Sequence, residues 1–155
     1  LLADTRATAD ADAARASRAA MLDRLDRLGP AAVAAEMRGT LVGPTTLASR
    51  PAVLDAIDAL MGRATREGIG FAVARMMNRP DSTAALGAFP RPVCVVVGEE
   101  DVLTPPSEAA AMAAAVPGAT LTTIPRAGHL SNLEAPEAFN AAMTTWLDAV
   151  ARVTV

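Results

Sequence analysis

Residues 92–106 read PVCVVVGEEDVLTPP, and the fold turns on how that stretch is taken. Pro92 to Val97 is a short, unbroken, β-branched run bounded by proline and glycine. That is the composition of a strand covered on both faces in a parallel sheet. Downstream, Ser107 to Val116 is Ala-rich and predicts a helix, which Pro117-Gly118 ends. Ala119 to Ile124 predicts a second strand. The stretch IPRAGHLSNLEAPEAFN (residues 124–140) then passes through a loop at Pro125 and Gly128 into a last helix. That helix is predicted from Leu133 to about Val150, with Leu133, Phe139, Met143, Trp146 and Leu147 toward the core. Strand–helix–strand–helix is the grammar of a parallel α/β sheet with right-handed crossovers.

Upstream, from about residue 10 to about residue 88, every periodic segment is helical. Met21, Leu22, Leu25 and Leu28 recur at helical spacing until Gly29-Pro30. Ala31 to Arg38 predicts a shorter helix ended by Gly39. After the turn at Gly43-Pro44, Ser49 is the expected N-cap of a helix whose apolar face is Val53, Leu54, Ile57, Leu60 and Met61. A fourth helix is predicted from about Thr65 to Asn78, closed by Pro80. Leu1 to Ala3 reads as the end of one further strand. Two parallel strands do not make a stable sheet, so a neighbouring segment is expected beside them.

The chain is 155 residues long, enough to bury a core, and 52% hydrophobic against 20% charged, which excludes a disordered chain. It has no Tyr, one Trp and three Phe, so the core must be built mainly from Ala, Val, Leu, Ile and Met. A net charge of −3, with arginines scattered, argues against a nucleic-acid partner. No apolar stretch reaches the length of a membrane span and no signal-peptide pattern opens the chain, so a cytoplasmic protein is expected. Cys94, the single cysteine, lies inside the apolar run and reads as a small buried hydrophobe.

In open α/β sheets ligands bind at the carboxyl ends of the strands. Both strands end on polar residues: Gly98-Glu99-Glu100-Asp101 after the first, Gly128-His129 after the second. The two loops leave the same end of the sheet, so Asp101 and His129 can meet. A carboxylate accepting the imidazole Nδ1–H fixes the tautomer and leaves the other nitrogen as a general base. Taken singly, each has a plainer reading. Glu99, Glu100 and Asp101 could each cap the following helix, and a lone loop histidine is often structural. Metal ligation would need more His or Cys than the chain holds, and Gly68-Ile69-Gly70 begins no phosphate-binding pattern. No metal and no cofactor is expected. Met76 and Met77 read mainly as core, with a pocket wall as the alternative.

Residues 92–106 and 124–140 resemble the C-terminal segment of the α/β-hydrolase superfamily. There a strand of the form V-x-V-V-x-G ends in G-x-x-D, and a G-H loop precedes an E-x-P helix opening. The resemblance covers about residues 90–150, and more weakly the helical region and Leu2 to Arg6. It implies the C-terminal part of a doubly wound parallel α/β sheet with an inserted all-helical cap. Residues 1–9 would be the end of a core strand leading into the cap, 10–88 the cap, and 89–155 the C-terminal core segment. Asp101 would be the triad acid and His129 the triad base, with Glu134 and Pro136 structural. Val102, Leu130, Met76 and Met77 would line the substrate pocket.

One part of the family pattern is absent. None of Ser17, Ser49, Ser82, Ser107 and Ser131 lies in a G-x-S-x-G elbow, and Cys94 is in mid-strand. Triad order in this fold is nucleophile, acid, histidine, and the chain begins Leu1-Leu2 without Met. The serine and oxyanion hole are therefore expected on an N-terminal α/β-hydrolase segment upstream of Leu1. The implied reaction is hydrolysis of a small apolar carboxylic ester or lactone. Enol-lactonase, C–C hydrolase and cofactor-free haloperoxidase-like activities are alternatives on the same triad. A non-catalytic module that binds a partner chain is the alternative outside enzymology.

Overall fold

A computed structural model describes residues 1–153. In chain order its elements are β1 (Leu2–Ala3), α1 (Asp12–Leu28), α2 (Pro30–Leu41), α3 (Pro44–Ser49), α4 (Pro51–Met61), α5 (Arg66–Met77) and α6 (Thr83–Gly87). They are followed by β2 (Cys94–Gly98), α7 (Pro106–Ala115), β3 (Thr120–Ile124), α8 (Ser131–Glu134) and α9 (Pro136–Val153). The three strands form one parallel sheet in the order β1-β2-β3. Leu2 pairs with Val95, and Cys94 to Gly98 pair with Thr120 to Ile124 in unbroken register.

The β-branched run predicted as a covered strand is β2, and all five of its residues are buried. Its alternating side chains feed two cores. Val93, Val95 and Val97 pack with Ala109, Met112 and Val116 of the α7 segment on one face. Cys94 and Val96 pack with Ile124, Ala127 and Ala142 on the other, where Phe139 and Trp146 of α9 close the layer. Helices thus cover both faces of the central strand, as parallel sheets require. The Cys94 thiol is free and buried.

Between β1 and β2 the described chain is entirely helical. α1 packs on α2 and α5, and α2 on α4. A third core, Val42, Leu54 and Ile57 with Leu130 and Leu133, fastens this layer to the segment after β3. No described helix is long and apolar enough to cross a membrane.

Several expectations shift. Ser49 is not an N-cap: it ends α3, its hydroxyl donating to the Thr45 carbonyl at 2.8 Å. The break falls one residue later, because Arg50 precedes Pro51 and is pushed out of the α region (φ −126°, ψ 64°). The same rule divides the predicted last helix into α8 and α9 at Ala135, before Pro136. Gly39 does not end α2, which runs on to Leu41. Leu147 is 49% exposed and faces outward, while Trp146 carries the packing and donates its indole N–H to the Pro92 carbonyl at 3.0 Å.

Candidate functional site

Asp101 follows β2 and His129 follows β3, at the carboxyl ends of adjacent strands. Their side chains meet: His129 Nδ1 lies 2.9 Å from Asp101 Oδ2. The Asp101 side chain has no solvent exposure, whereas that of His129 keeps 24%. An acid locked inside with a histidine open to a cleft is the geometry a general base needs.

Asp101 is held on every side. Oδ1 accepts the backbone N–H of Leu103 at 2.8 Å and of Thr104 at 2.9 Å. Oδ2 accepts the Thr104 hydroxyl at 2.7 Å, and that hydroxyl oxygen is 3.2 Å from His129 Nδ1. A protonated Nδ1 donates toward both oxygens, so Nε2 keeps its lone pair. Burial pushes the Asp101 carboxyl up, but the hydrogen bonds from His129 and Thr104 outweigh it and hold it below the usual carboxylate range. Thr104 was not picked out from the sequence. Its signal was the Asp-x-x-Thr spacing, in which a turn folds the backbone onto its own carboxylate. The neighbouring acids face elsewhere: Glu99 accepts from Arg126 N–H and Glu100 from Thr45.

A depressed carboxylate sets a pH dependence. The stability that Asp101 contributes is complete above the unfolded value of about 3.9 and is lost as pH falls through its lower folded value. Urea unfolding at pH 5 and pH 3 is therefore expected to show a smaller acid loss in Asp101→Asn than in the parent.

The loop bearing His129 is fixed by Glu134, which is buried (3% exposed). Its Oε1 accepts the N–H of Gly128 at 2.8 Å and of Leu130 at 3.3 Å, and its Oε2 that of Gly43 at 2.9 Å. Gly128 is glycine for space: a Cβ there would sit 2.3 Å from the Gly43 nitrogen. On the other side Asp4 accepts from Gly98 N–H at 2.9 Å and from the Ser131 hydroxyl at 2.6 Å. Burial raises the Asp4 pKa, and those same hydrogen bonds oppose the rise.

His129 opens into a cleft of about 510 Å³ between the strand ends and the helical layer. Met76 lines it, with Met21, Met37, Leu41 and Leu103. Of the other expected wall residues, Val102 is 67% exposed and is not in the cleft lining. Leu130 packs into the third core, and Met77 is half-buried outside the cleft lining. Ser17 is in the lining but stands in mid-helix on α1, with no strained turn to present its oxygen. Among the described residues, no three His, Cys, Asp or Glu gather into a metal-binding group.

Residues 1–142 match the α/β hydrolase family. A thermophilic esterase from Thermogutta terrifontis, solved with malate bound, superposes with a TM-score of 0.89 at 38% identity. The match covers 96% of this chain and 55% of the esterase. A hydrolase from Pseudomonas aeruginosa is 30% identical, with a TM-score of 0.78, covering 94% of this chain and 54% of its own. An enol-lactonase from Burkholderia xenovorans shares the fold at 20% identity, with a TM-score of 0.82, covering 94% of this chain and 54% of the lactonase. The chain spans about half the length of the solved structures it matches.

Proposed function

The chain belongs to the α/β-hydrolase family, and from that premise we propose that it supplies the acid and the base of a serine-type ester hydrolase. The observation that carries this reading is the buried Asp101 bonded to the Nδ1 of a cleft-facing His129. The serine and the oxyanion hole come from an α/β-hydrolase segment outside these 155 residues, and the helices of residues 10–88 act as the cap that selects the substrate.

In that assembly His129 Nε2 takes the serine hydroxyl proton as the oxygen bonds to the ester carbonyl carbon. The tetrahedral intermediate collapses, the C–O bond to the alcohol breaks, and the imidazolium returns its proton to the departing alkoxide. Water then enters, loses a proton to the same nitrogen and attacks the acyl-enzyme. The carboxylic acid and free serine are left. Asp101 keeps its charge throughout and stabilises each imidazolium. Esters and lactones both fit this sequence, since a lactone is an ester whose alcohol stays attached.

The test is hydrolysis of 4-nitrophenyl butyrate by the chain alone and by the chain joined to a nucleophile-bearing segment of the family. Turnover is expected only in the joined protein. Equal turnover by the chain alone would place a nucleophile within these residues, and a folded joined protein inert toward this ester and toward mono-4-nitrophenyl succinate alike would refute the hydrolase reading.

A further inference from the structure

The cleft that holds His129 is polarised. Asp4 and Asp101 lie at the strand ends, whereas Arg6, Arg18 and Arg79 stand on its other walls. Arg6 is already committed, donating to the Leu103 carbonyl and lying 3.9 Å from Glu108. Arg18 and Arg79 share a single carboxylate, Asp10, whose side chain is 1% exposed. Arg18 donates from Nε to one oxygen of Asp10 and Arg79 from a terminal nitrogen to the other.

One guanidinium would neutralise Asp10, so the second is in excess of what burial of that acid demands. Donor capacity is in excess as well. A guanidinium carries five N–H groups, and acceptors among the described residues engage one nitrogen of each of these arginines.

We propose that the cleft takes esters or lactones that also carry a carboxylate, seated on Arg18 and Arg79. The aliphatic chain lies along Met21, Met37 and Met76, and the scissile carbonyl reaches His129. This specificity rests on the hydrolase reading. A monoanion matches the one uncompensated positive charge at that end, and a planar carboxylate matches the guanidinium fork. A doubly charged phosphate would leave a negative charge in a cleft already acidic at its other end. About 510 Å³ is within the range of small-molecule sites.

His129 is the sole histidine, so its imidazole Hε1–Cε1 pair gives one NMR signal at the cleft. Hexanoate and hexanamide, alike in length and differing in charge, would be titrated into the 155-residue chain. Hexanoate is expected to move the signal saturably, with a Kd at least about tenfold lower than that of hexanamide. Arg18→Met is expected to remove about tenfold of that affinity, and Asp10→Asn, which frees both guanidiniums, to tighten hexanoate severalfold. Equal affinities, no saturation with either compound, or weaker binding by Asp10→Asn would overturn the proposal. If Arg18→Met does not fold, the Asp10→Asn comparison decides. Binding needs no serine: hexanoate bound as expected, beside a joined protein that hydrolyses no ester, would refute the hydrolase reading and leave the anion site standing.

Discussion

His129→Ala is expected to cut ester hydrolysis by the joined protein about 10⁶-fold in kcat, with KM changed little. The imidazole touches the proton in flight and contributes little to holding the ground-state ester, so its loss falls on the transition state. Asp101→Asn is expected to cost about 10³- to 10⁴-fold for a different reason. An amide presents an NH₂ as readily as an oxygen to Nδ1, which lets the imidazole take the tautomer whose Nε2 is protonated and unable to accept. The Thr104 hydroxyl, 2.7 Å from Asp101 Oδ2 and 3.2 Å from Nδ1, moves with that change. Because the two residues act as one unit, the double variant should be no slower than His129→Ala by more than a few-fold. Steady-state kinetics on folded variants decides. Activity within tenfold of the parent in His129→Ala would remove the histidine from the mechanism.

The route from sequence to this pair was short because strand signals are local. A β-branched run between proline and glycine has few alternatives, and a parallel sheet sends both following loops to one end. Those two rules bring Asp101 and His129 to one end of the sheet. The resemblance to the hydrolases then marked Glu134 as structural without saying what it does. Its three N–H donors come from residues 43, 128 and 130, a conjunction made only by folding. The same holds for Asp10 with Arg18 and Arg79: the residues are scattered over α1, its approach and the loop after α5, with no motif joining them. Val102, expected on the pocket wall with the hydrolase reading, is 67% exposed and outside the cleft lining, while the Asp101 carboxylate beside it turns inward onto the Leu103 and Thr104 N–H groups. Short elements escape as well: α6, five residues long, carries too little periodicity to be seen.

Glu134→Ala is expected to lower unfolding free energy by about 3–5 kcal/mol, among the larger losses a single side chain brings. The glutamate is buried, and its two oxygens hold the His129 loop and the backbone at Gly43 against each other. Truncation leaves those donors without the acceptor they share. A Cβ on Gly128 would already lie 2.3 Å from the Gly43 nitrogen. Each orphaned buried N–H costs about 1–3 kcal/mol, so two fully stranded donors account for most of the estimate. Glu134→Gln separates charge from shape. Its carbonyl oxygen can still serve Gly128 and Leu130, but its NH₂ then faces the Gly43 N–H, donor against donor, so an intermediate loss is expected. Urea unfolding of the three proteins at one pH gives the order. The His129 signal should broaden or shift in Glu134→Ala even below its unfolding midpoint, because the residues on either side of His129 lose their common acceptor. If Glu134→Ala stays within about 1 kcal/mol of the parent, then glycine-tight packing at residues 43 and 128, not the buried carboxylate, holds the histidine in place.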